Sequence, residues 1–322
     1  MKILMLESSA VEEGMDLDRF NNLGELIKYP TSTTEEARQR LASNDAEVLL
    51  VNKIPLNSYT LEGAKSLKLI CITATGYNNV DLEYTKQRGI TVTNVAGYST
   101  YSVVQHTFAM LFYLLEKLSY YDDFVKSGQY VDYPIFCNFS NVFHELRGMT
   151  WGIIGLGNIG KEVAAVAQAF GCNVIYYSTS GNNSDSRYSR VEFDELLEKS
   201  DIISIHAPLN ENTINLIDSK AFFKMKNSAI LINVGRGRIV NEHDLVKALL
   251  NNEIAAAGLD VLENEPMRAD NPLLAIKDST KLLITPHMAW GTCEARKRLL
   301  DDVYENIVSF MKGEKRNVVG AD

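Results

Sequence analysis

The chain has no apolar run long enough to cross a membrane: its most hydrophobic stretch is Phe108 to Leu115, where a helical span needs about 20 residues. It also lacks a cationic start followed by an apolar segment and a small-residue cleavage site, so no secretory leader is expected. Cysteine is scarce. The four (Cys71, Cys137, Cys172, Cys293) form no C-x-x-C pair and no zinc spacing, which suits reduced structural thiols in a cytoplasmic protein. There is no H-E-x-x-H or H-x-x-x-H pattern, so no metal site is expected. Positive charge is in deficit. Thirty-two Lys and Arg stand against 41 Asp and Glu, a formal net charge of −9, which argues against nucleic acid as a main partner. No repeat or low-complexity tract interrupts a composition ordinary for a soluble globular protein, with 46% hydrophobic and 23% charged residues.

What is present is organised around Met149 to Gly160. Gly152-Ile153-Ile154 reads as a buried strand, Gly155, Gly157 and Gly160 form G-x-G-x-x-G, and Ile159, Val163, Val166, Ala167 and Phe170 follow at helical spacing. A strand, a tight glycine turn and a helix in that order can bind a dinucleotide. The first glycine permits the turn, the second lets backbone approach a pyrophosphate, and the third packs helix on strand. The helix N-terminus, through Asn158 and Ile159, attracts the phosphate charge.

The rest of the chain alternates strands and helices. Strands are predicted at Ile3 to Leu6, Leu26 to Tyr29, Val48 to Val51, Leu69 to Ile72 and Ile90 to Thr93, with helix-like segments at Thr34 to Ser43 and Asp81 to Arg88. After the glycine turn a second series follows: Val174 to Tyr177, Ile202 to Ile205, Ala229 to Val234, Ala255 to Leu259 and Leu282 to Thr285, with a helix at Glu242 to Leu250 capped by Asn241. Such alternation predicts two mostly parallel sheets, each covered on both faces, in about two domains. Ser99 to Leu118 reads as one long helix, apolar nearly all round from Phe108 to Leu115, which would be buried between domains or subunits; its His106 suits a structural role. Residues 119–147 read as irregular and aromatic, suited to covering apolar surface or making an interface. A last amphipathic helix covers Cys293 to Lys312.

Polar residues gather where strands end. The loop Thr73 to Asn79 follows a strand, and amides around Gly76 could hold an anion. Lys53 ends another strand. In the second series His206, Arg236, Asp260 and His287 each follow a strand closely, and Glu265 comes five residues after Asp260. In a parallel sheet these ends open on the edge of the glycine turn, where such sheets bind ligands. Arg236, framed by Gly235 and Gly237, offers a planar fork for a carboxylate. Glu265 could orient His287 and favour its charged form. An arginine for an anion, a histidine for a proton and a dinucleotide nearby suggest hydride transfer to a keto acid.

Four segments make the resemblance specific: Gly155 to Gly160, Asn233 to Val240, Gly258 to Pro266, and Thr285 to Trp290. Over nearly its full length the chain resembles the D-isomer-specific 2-hydroxyacid dehydrogenases. The resemblance implies an α/β fold of two doubly wound parallel-sheet domains. A flavodoxin-like substrate domain would cover 1–98 plus 291–322, and a Rossmann NAD(P)-binding domain 99–290. It implies a homodimer. It implies that Arg236 binds the substrate carboxylate and carbonyl, that His287 is the general acid/base with Glu265 as its partner, and that residues around Thr75 and Gly76 hold the substrate carboxylate by backbone amides; Lys53, at its strand end, is a further candidate for substrate contact. Asp260 would bind the nicotinamide carboxamide, and His206, Pro208, Thr213 and Val234 would line the cofactor groove. Ala74 to Asp81, Gly97 to Thr100 and His287 to Trp290 resemble glycerate dehydrogenases (hydroxypyruvate reductases), so hydroxypyruvate or glyoxylate would be the keto acid. The 322 residues leave no room for the regulatory domain of long phosphoglycerate dehydrogenases, and Glu265 stands where formate dehydrogenases carry glutamine. Two alternatives remain: another keto acid, or a non-catalytic dinucleotide-sensing scaffold like the C-terminal-binding corepressors. One departure concerns the cofactor. Ser178 stands where the second strand usually ends in an acid for the adenosine ribose, so NADPH is expected at least as readily as NADH, with Arg187 in reach of a 2′-phosphate.

Overall fold

The computed structural model describes residues 1–320, which form two compact units: Met1–Ser99 together with the chain from Gly291 onward, and Thr100–Trp290. The first unit contains β1 (Lys2–Met5), β2 (Glu25–Lys28), α1 (Thr34–Asn44), β3 (Val48–Val51), α2 (Ser58–Leu61), β4 (Leu69–Ile72), α3 (Leu82–Gln87) and β5 (Thr91–Thr93). Its sheet runs β2-β1-β3-β4-β5, parallel throughout. Every residue of β3 and β4 is buried, so these strands read as continuous apolar runs, as a sheet covered on both faces requires. The helices start on side-chain caps: a capping box of Thr33 with Glu36 for α1, and Asp81 for α3. The C-terminal helix Cys293–Met311, capped by Thr292, packs on β4. Its Asn306 amide donates to the Asn94 carbonyl (3.2 Å) and Arg298 Nε to the Tyr98 carbonyl (2.9 Å).

The second unit opens with α4 (Thr100–Leu115) and α5 (Leu118–Lys126). It continues through β6 (Thr150–Ile154), α6 (Asn158–Ala169), β7 (Asn173–Tyr177), β8 (Ser189–Arg190), α7 (Phe193–Lys199) and β9 (Ile202–Ile205), then α8 (Ser219–Lys224), β10 (Ile230–Asn233), α9 (Glu242–Leu250), β11 (Ala256–Leu259) and β12 (Leu282–Ile284). The sheet order is β12-β11-β10-β9-β6-β7-β8, again all parallel, and it reverses direction between β6 and β9. The two-sheet α/β fold is therefore as expected. Trp151 of β6 is fully buried, donates from Nε1 to Ser204 Oγ (2.8 Å) and packs at a tilt against Phe108 of α4. A side chain of that size buried in full contributes about 1.5–3 kcal/mol from desolvation.

Three local expectations change. The predicted long helix from Ser99 breaks at Lys117, whose φ of 55° is left-handed, so α4 and α5 are separate and α5 lies in a stretch predicted irregular. The apolar face of α4 is buried within its own unit, packed on α6, β10, β11 and β12, rather than kept for an interface. The short strand β8 gave no apolar signal because both its residues are exposed at the sheet edge. No described helix is long and apolar enough to cross a membrane.

Candidate active site

Strand register decides which residues can share a site. Ile154 pairs with Tyr177 on one side and Ile205 on the other, Ile205 with Asn233, Asn233 with Leu259, and Leu259 with Ile284. The next residues, Ser178, Gly155, His206, Val234, Asp260 and Thr285, therefore stand in one line along the carboxyl edge of the sheet. The reversal of strand order between β6 and β9 falls at Gly155 and His206, where an open α/β sheet leaves a crevice.

The glycine turn separates packing from ligand space. Gly155 has φ +92°, and a Cβ there would lie 2.8 Å from the Ala207 nitrogen; at Gly160 it would lie 2.3 Å from the Gly155 carbonyl oxygen. Both glycines are required by the protein's own contacts. A Cβ at Gly157 would meet nothing within 4 Å, so packing does not account for this glycine. Gly157 is also the N-cap of α6 and supplies no side-chain cap, and the first turn, with Asn158 and Ile159, holds no acid. Open space beside uncapped amides fits a pyrophosphate. Two buried polar atoms on the same edge, Ser178 Oγ and His206 Nδ1, have no partner within the protein, which also fits a bound dinucleotide. Pro208 is exposed and Val234 half-buried on this edge.

Beyond β11, His287 and Glu265 come together. His287 Nδ1 is 2.7 Å from Glu265 Oε2, and Glu265 Oε1 accepts from the Leu262 amide at 3.0 Å. His287 is held in a left-handed conformation, φ 51°, by its own amide, which donates to the Asp260 carbonyl (2.8 Å). Asp260 fixes the loop around it. Its Oδ1 accepts from Thr285 Oγ1 (2.6 Å) and the Met288 amide (2.9 Å), its Oδ2 from the Ala289 amide (2.9 Å), and His106 Nε2 lies 3.4 Å from Oδ1. Burial pushes the Asp260 carboxyl up, but the hydrogen bonds from His106, Thr285, Ala289 and Met288 outweigh it and hold the group below the usual range.

The resemblance implied a nicotinamide contact for Asp260. At 1% exposure its carboxylate clamps the His287 loop through the Thr285, Met288 and Ala289 donors. Thr213, placed above in the cofactor groove, is likewise turned inward: fully buried, it donates to the Pro208 carbonyl (2.7 Å) and accepts from the Asn210 amide (2.8 Å), bracing the loop after β9.

Arg236 is half-buried and extended, its Nη1 donating to the Gly235 carbonyl at 2.8 Å. Asn233 braces this loop by accepting from the Gly235 amide and donating to the Arg236 carbonyl, both at 3.0 Å. A Cβ at Gly237 would fall 1.9 Å from the Leu262 carbonyl carbon, so the Arg236 loop and the Glu265 loop touch backbone to backbone. Glu242 is a residue that sequence reasoning missed. On α9 and 5% exposed, it accepts from the Glu263 amide (2.7 Å) and from Asn271 Nδ2 (2.8 Å), tying down both ends of the Glu265 loop. Its place in an acidic first helical turn gave no hint of this.

In the first unit Val51 pairs with Ile72, so Lys53 and the Thr73–Asn79 loop lie on one carboxyl edge. Thr75 is exposed, its hydroxyl donating to the Val95 carbonyl at 2.9 Å, and Gly76 is half-buried. Glu7, at the end of β1, accepts from the amides of Asn52 (2.7 Å) and Lys53 (3.0 Å) and so shapes the loop carrying the exposed Lys53 side chain. Asn79 Nδ2 donates to the Ile54 carbonyl (2.9 Å), joining the two loops.

One consequence concerns acid stability. His206 Nε2 lies 3.0 Å from Ser204 Oγ, which also accepts from Trp151 Nε1. Burial pushes His206 down to about 3. The unfolded chain takes up this proton below about pH 6.5 while the folded chain refuses it, so stability falls as pH drops from there toward about 3. Thermal melting from about pH 7 to about pH 4 should lower Tm by several degrees more in wild type than in His206→Gln. Parallel curves would show that His206 does not set this slope.

Comparisons with known proteins give the family. The family model described as D-isomer specific 2-hydroxyacid dehydrogenase, NAD binding domain, matches residues 108–289. The hydroxypyruvate reductase of Blautia hydrogenotrophica is 38% identical over 325 residues, covering 99% of each chain. Among solved structures, the D-lactate dehydrogenase of Aquifex aeolicus, complexed with NAD and lactic acid, superposes with a TM-score of 0.87 at 28% identity, all of both chains covered. An acyclic imino acid reductase in complex with NADPH and D-Arg gives 0.85 at 31% identity, over 99% of this chain and 100% of that one. The chain belongs to the D-isomer specific 2-hydroxyacid dehydrogenases and is an NAD(P)-dependent oxidoreductase of the 2-hydroxy acid and 2-keto acid pair.

Proposed function

We propose that this enzyme reduces hydroxypyruvate or glyoxylate, with His287 as proton donor, Glu265 as its orienting partner and Arg236 as the group that binds the carboxylate and polarises the carbonyl. The observation that carries this reading is the 2.7 Å contact of His287 with Glu265, beside the edge where the glycine turn opens. A bound reduced nicotinamide supplies the hydride. The chain's own residues do the rest. Glu265 engages Nδ1, so Nε2 is the nitrogen that passes a proton to the carbonyl oxygen. The Arg236 guanidinium, steadied by the Gly235 carbonyl, stabilises the developing negative charge. In the first unit, Lys53 and the amides at Thr75 and Gly76 are assigned to the substrate carboxylate, supported by their shared edge. The hydroxypyruvate reductase relative supports the choice of keto acid.

His287→Ala should lower kcat by on the order of 10²–10⁴, with NADH and NADPH binding retained. Arg236→Lys should lower kcat/KM for hydroxypyruvate by tenfold or more, roughly the loss of a bidentate charge-assisted contact. The assay is loss of NAD(P)H absorbance. A chain that binds cofactor yet turns over no keto acid would favour the scaffold alternative.

Glu265→Gln replaces the carboxylate that engages His287 Nδ1 at 2.7 Å with a neutral amide, so kcat for the keto acid should fall by about tenfold or more with NADH binding retained, and an unchanged kcat would remove Glu265 from the pair.

The proposal includes a homodimer in a cytoplasmic setting, the latter supported by four free cysteines. Downstream of α5, Phe136 is 90% and Phe139 74% exposed, with Val131, Ile135 and Val142 also exposed beside them. An apolar patch of this kind is best covered by a second copy. Light scattering at micromolar concentration should give twice the chain mass, and Phe136→Ser with Phe139→Ser should weaken the association. A monomeric wild type would refute the dimer.

A further inference from the structure

We propose that Arg190, with the turn Ser178–Gly181, forms a binding site for a ribose 2′-phosphate and so decides cofactor selectivity. This rests on the reading that the glycine turn holds a nicotinamide dinucleotide. The turn follows β7 directly, and the Gly155 amide donates to the Tyr177 carbonyl (3.0 Å), so Ser178 adjoins the glycine turn. Ser178 is only 5% exposed, yet its Oγ has no partner within the protein. A buried hydroxyl left unpaired is unfavourable, and an oxyanion placed against it would satisfy it. An acid at this position would take ribose hydroxyls and repel a phosphate; serine does neither.

The cation is not the one the sequence pointed to. Arg187 is locked to Asp185 through Nε (3.0 Å) and Nη2 (2.8 Å), so its charge is already matched. Arg190 is held differently. The pairing of β8 with β7 sets it beside Tyr176, and its Nη1 donates to the Gly181 carbonyl at 2.9 Å, at the far end of the same turn. Its Nη2 lies 3.8 Å from where a Gly181 Cβ would stand. Among the described residues no carboxylate pairs with it. One hydrogen bond to a carbonyl steers the guanidinium onto the turn and leaves its charge and remaining N–H groups for an anion, the geometry in which arginine binds phosphate. Ser178 at one end of the turn and Arg190 at the other bracket the place where the 2′ position of an adenosine ribose would sit.

Calorimetric titration of the full chain with 2′,5′-ADP and 5′-ADP tests this without turnover. Wild type should bind 2′,5′-ADP about tenfold or more tightly than 5′-ADP, the size expected for one charge-assisted phosphate contact. Arg190→Ala should abolish that ratio while keeping its affinity for 5′-ADP, and Ser178→Asp should invert it. A wild-type preference unchanged in Arg190→Ala would overturn the role of Arg190. Equal binding of the two nucleotides by wild type would overturn the phosphate site and leave the dinucleotide reading intact. Failure to bind either would overturn both.

Discussion

The carboxylate of Asp260 is the contact on which the candidate site depends. It lies at the end of β11, buried among groups that all donate to it: a threonine hydroxyl and two backbone amides, with an imidazole at 3.4 Å. Each of those donors belongs to the loop after β12 or to α4. One charge therefore fixes both where β12 ends and how the chain turns at His287, a residue held at a φ that costs energy for a side chain larger than glycine. Desolvating such a charge is unfavourable in isolation, and the ring of donors offsets that cost. The same carboxylate explains why His106 sits on an otherwise apolar helix.

Glu265 is held by a second set of constraints converging from the opposite side. The Gly237 contact lets the Arg236 loop pass against Leu262, and Glu242 accepts from the Glu263 amide and from Asn271. The loop between β11 and β12 thus meets backbone at Leu262 and the buried Glu242 carboxylate at Glu263 and Asn271. A proton donor and its orienting carboxylate work best when already within a hydrogen bond of each other, as His287 Nδ1 and Glu265 Oε2 are at 2.7 Å.

The glycine turn shows how one motif serves two needs. Gly155 and Gly160 answer to contacts inside the protein, whereas Gly157 answers only to empty space. That split distinguishes a ligand-binding turn from a packing turn. It is reinforced by the unpaired Ser178 hydroxyl and His206 Nδ1 along the same strand ends. The strand ends at Gly155, Ser178 and His206 therefore carry no acid, which suits an anionic ligand in a protein whose net charge is −9.

Much of this was legible in the chain alone. Buried parallel strands are continuous apolar runs, so β3, β4 and β9 could be placed to the residue, and Asn241 announced α9 because a cap is a local hydrogen bond. The glycine turn and the polar residues after each strand were also visible, since both are short-range patterns. What the sequence could not set was partnership. Asp260 and Thr213 stand in the chain only as a strand end and a loop residue, and the fold adds the partners that hold them. Arg187 looks like the cation nearest Ser178 until Asp185 captures it, leaving Arg190, three residues on, against the turn. The break at Lys117 and the exposed edge strand β8 carry no apolar periodicity to reveal them. Local propensity and periodicity determine the elements. Which donor meets which acceptor depends on strand order and register, and those are settled only when distant segments pack.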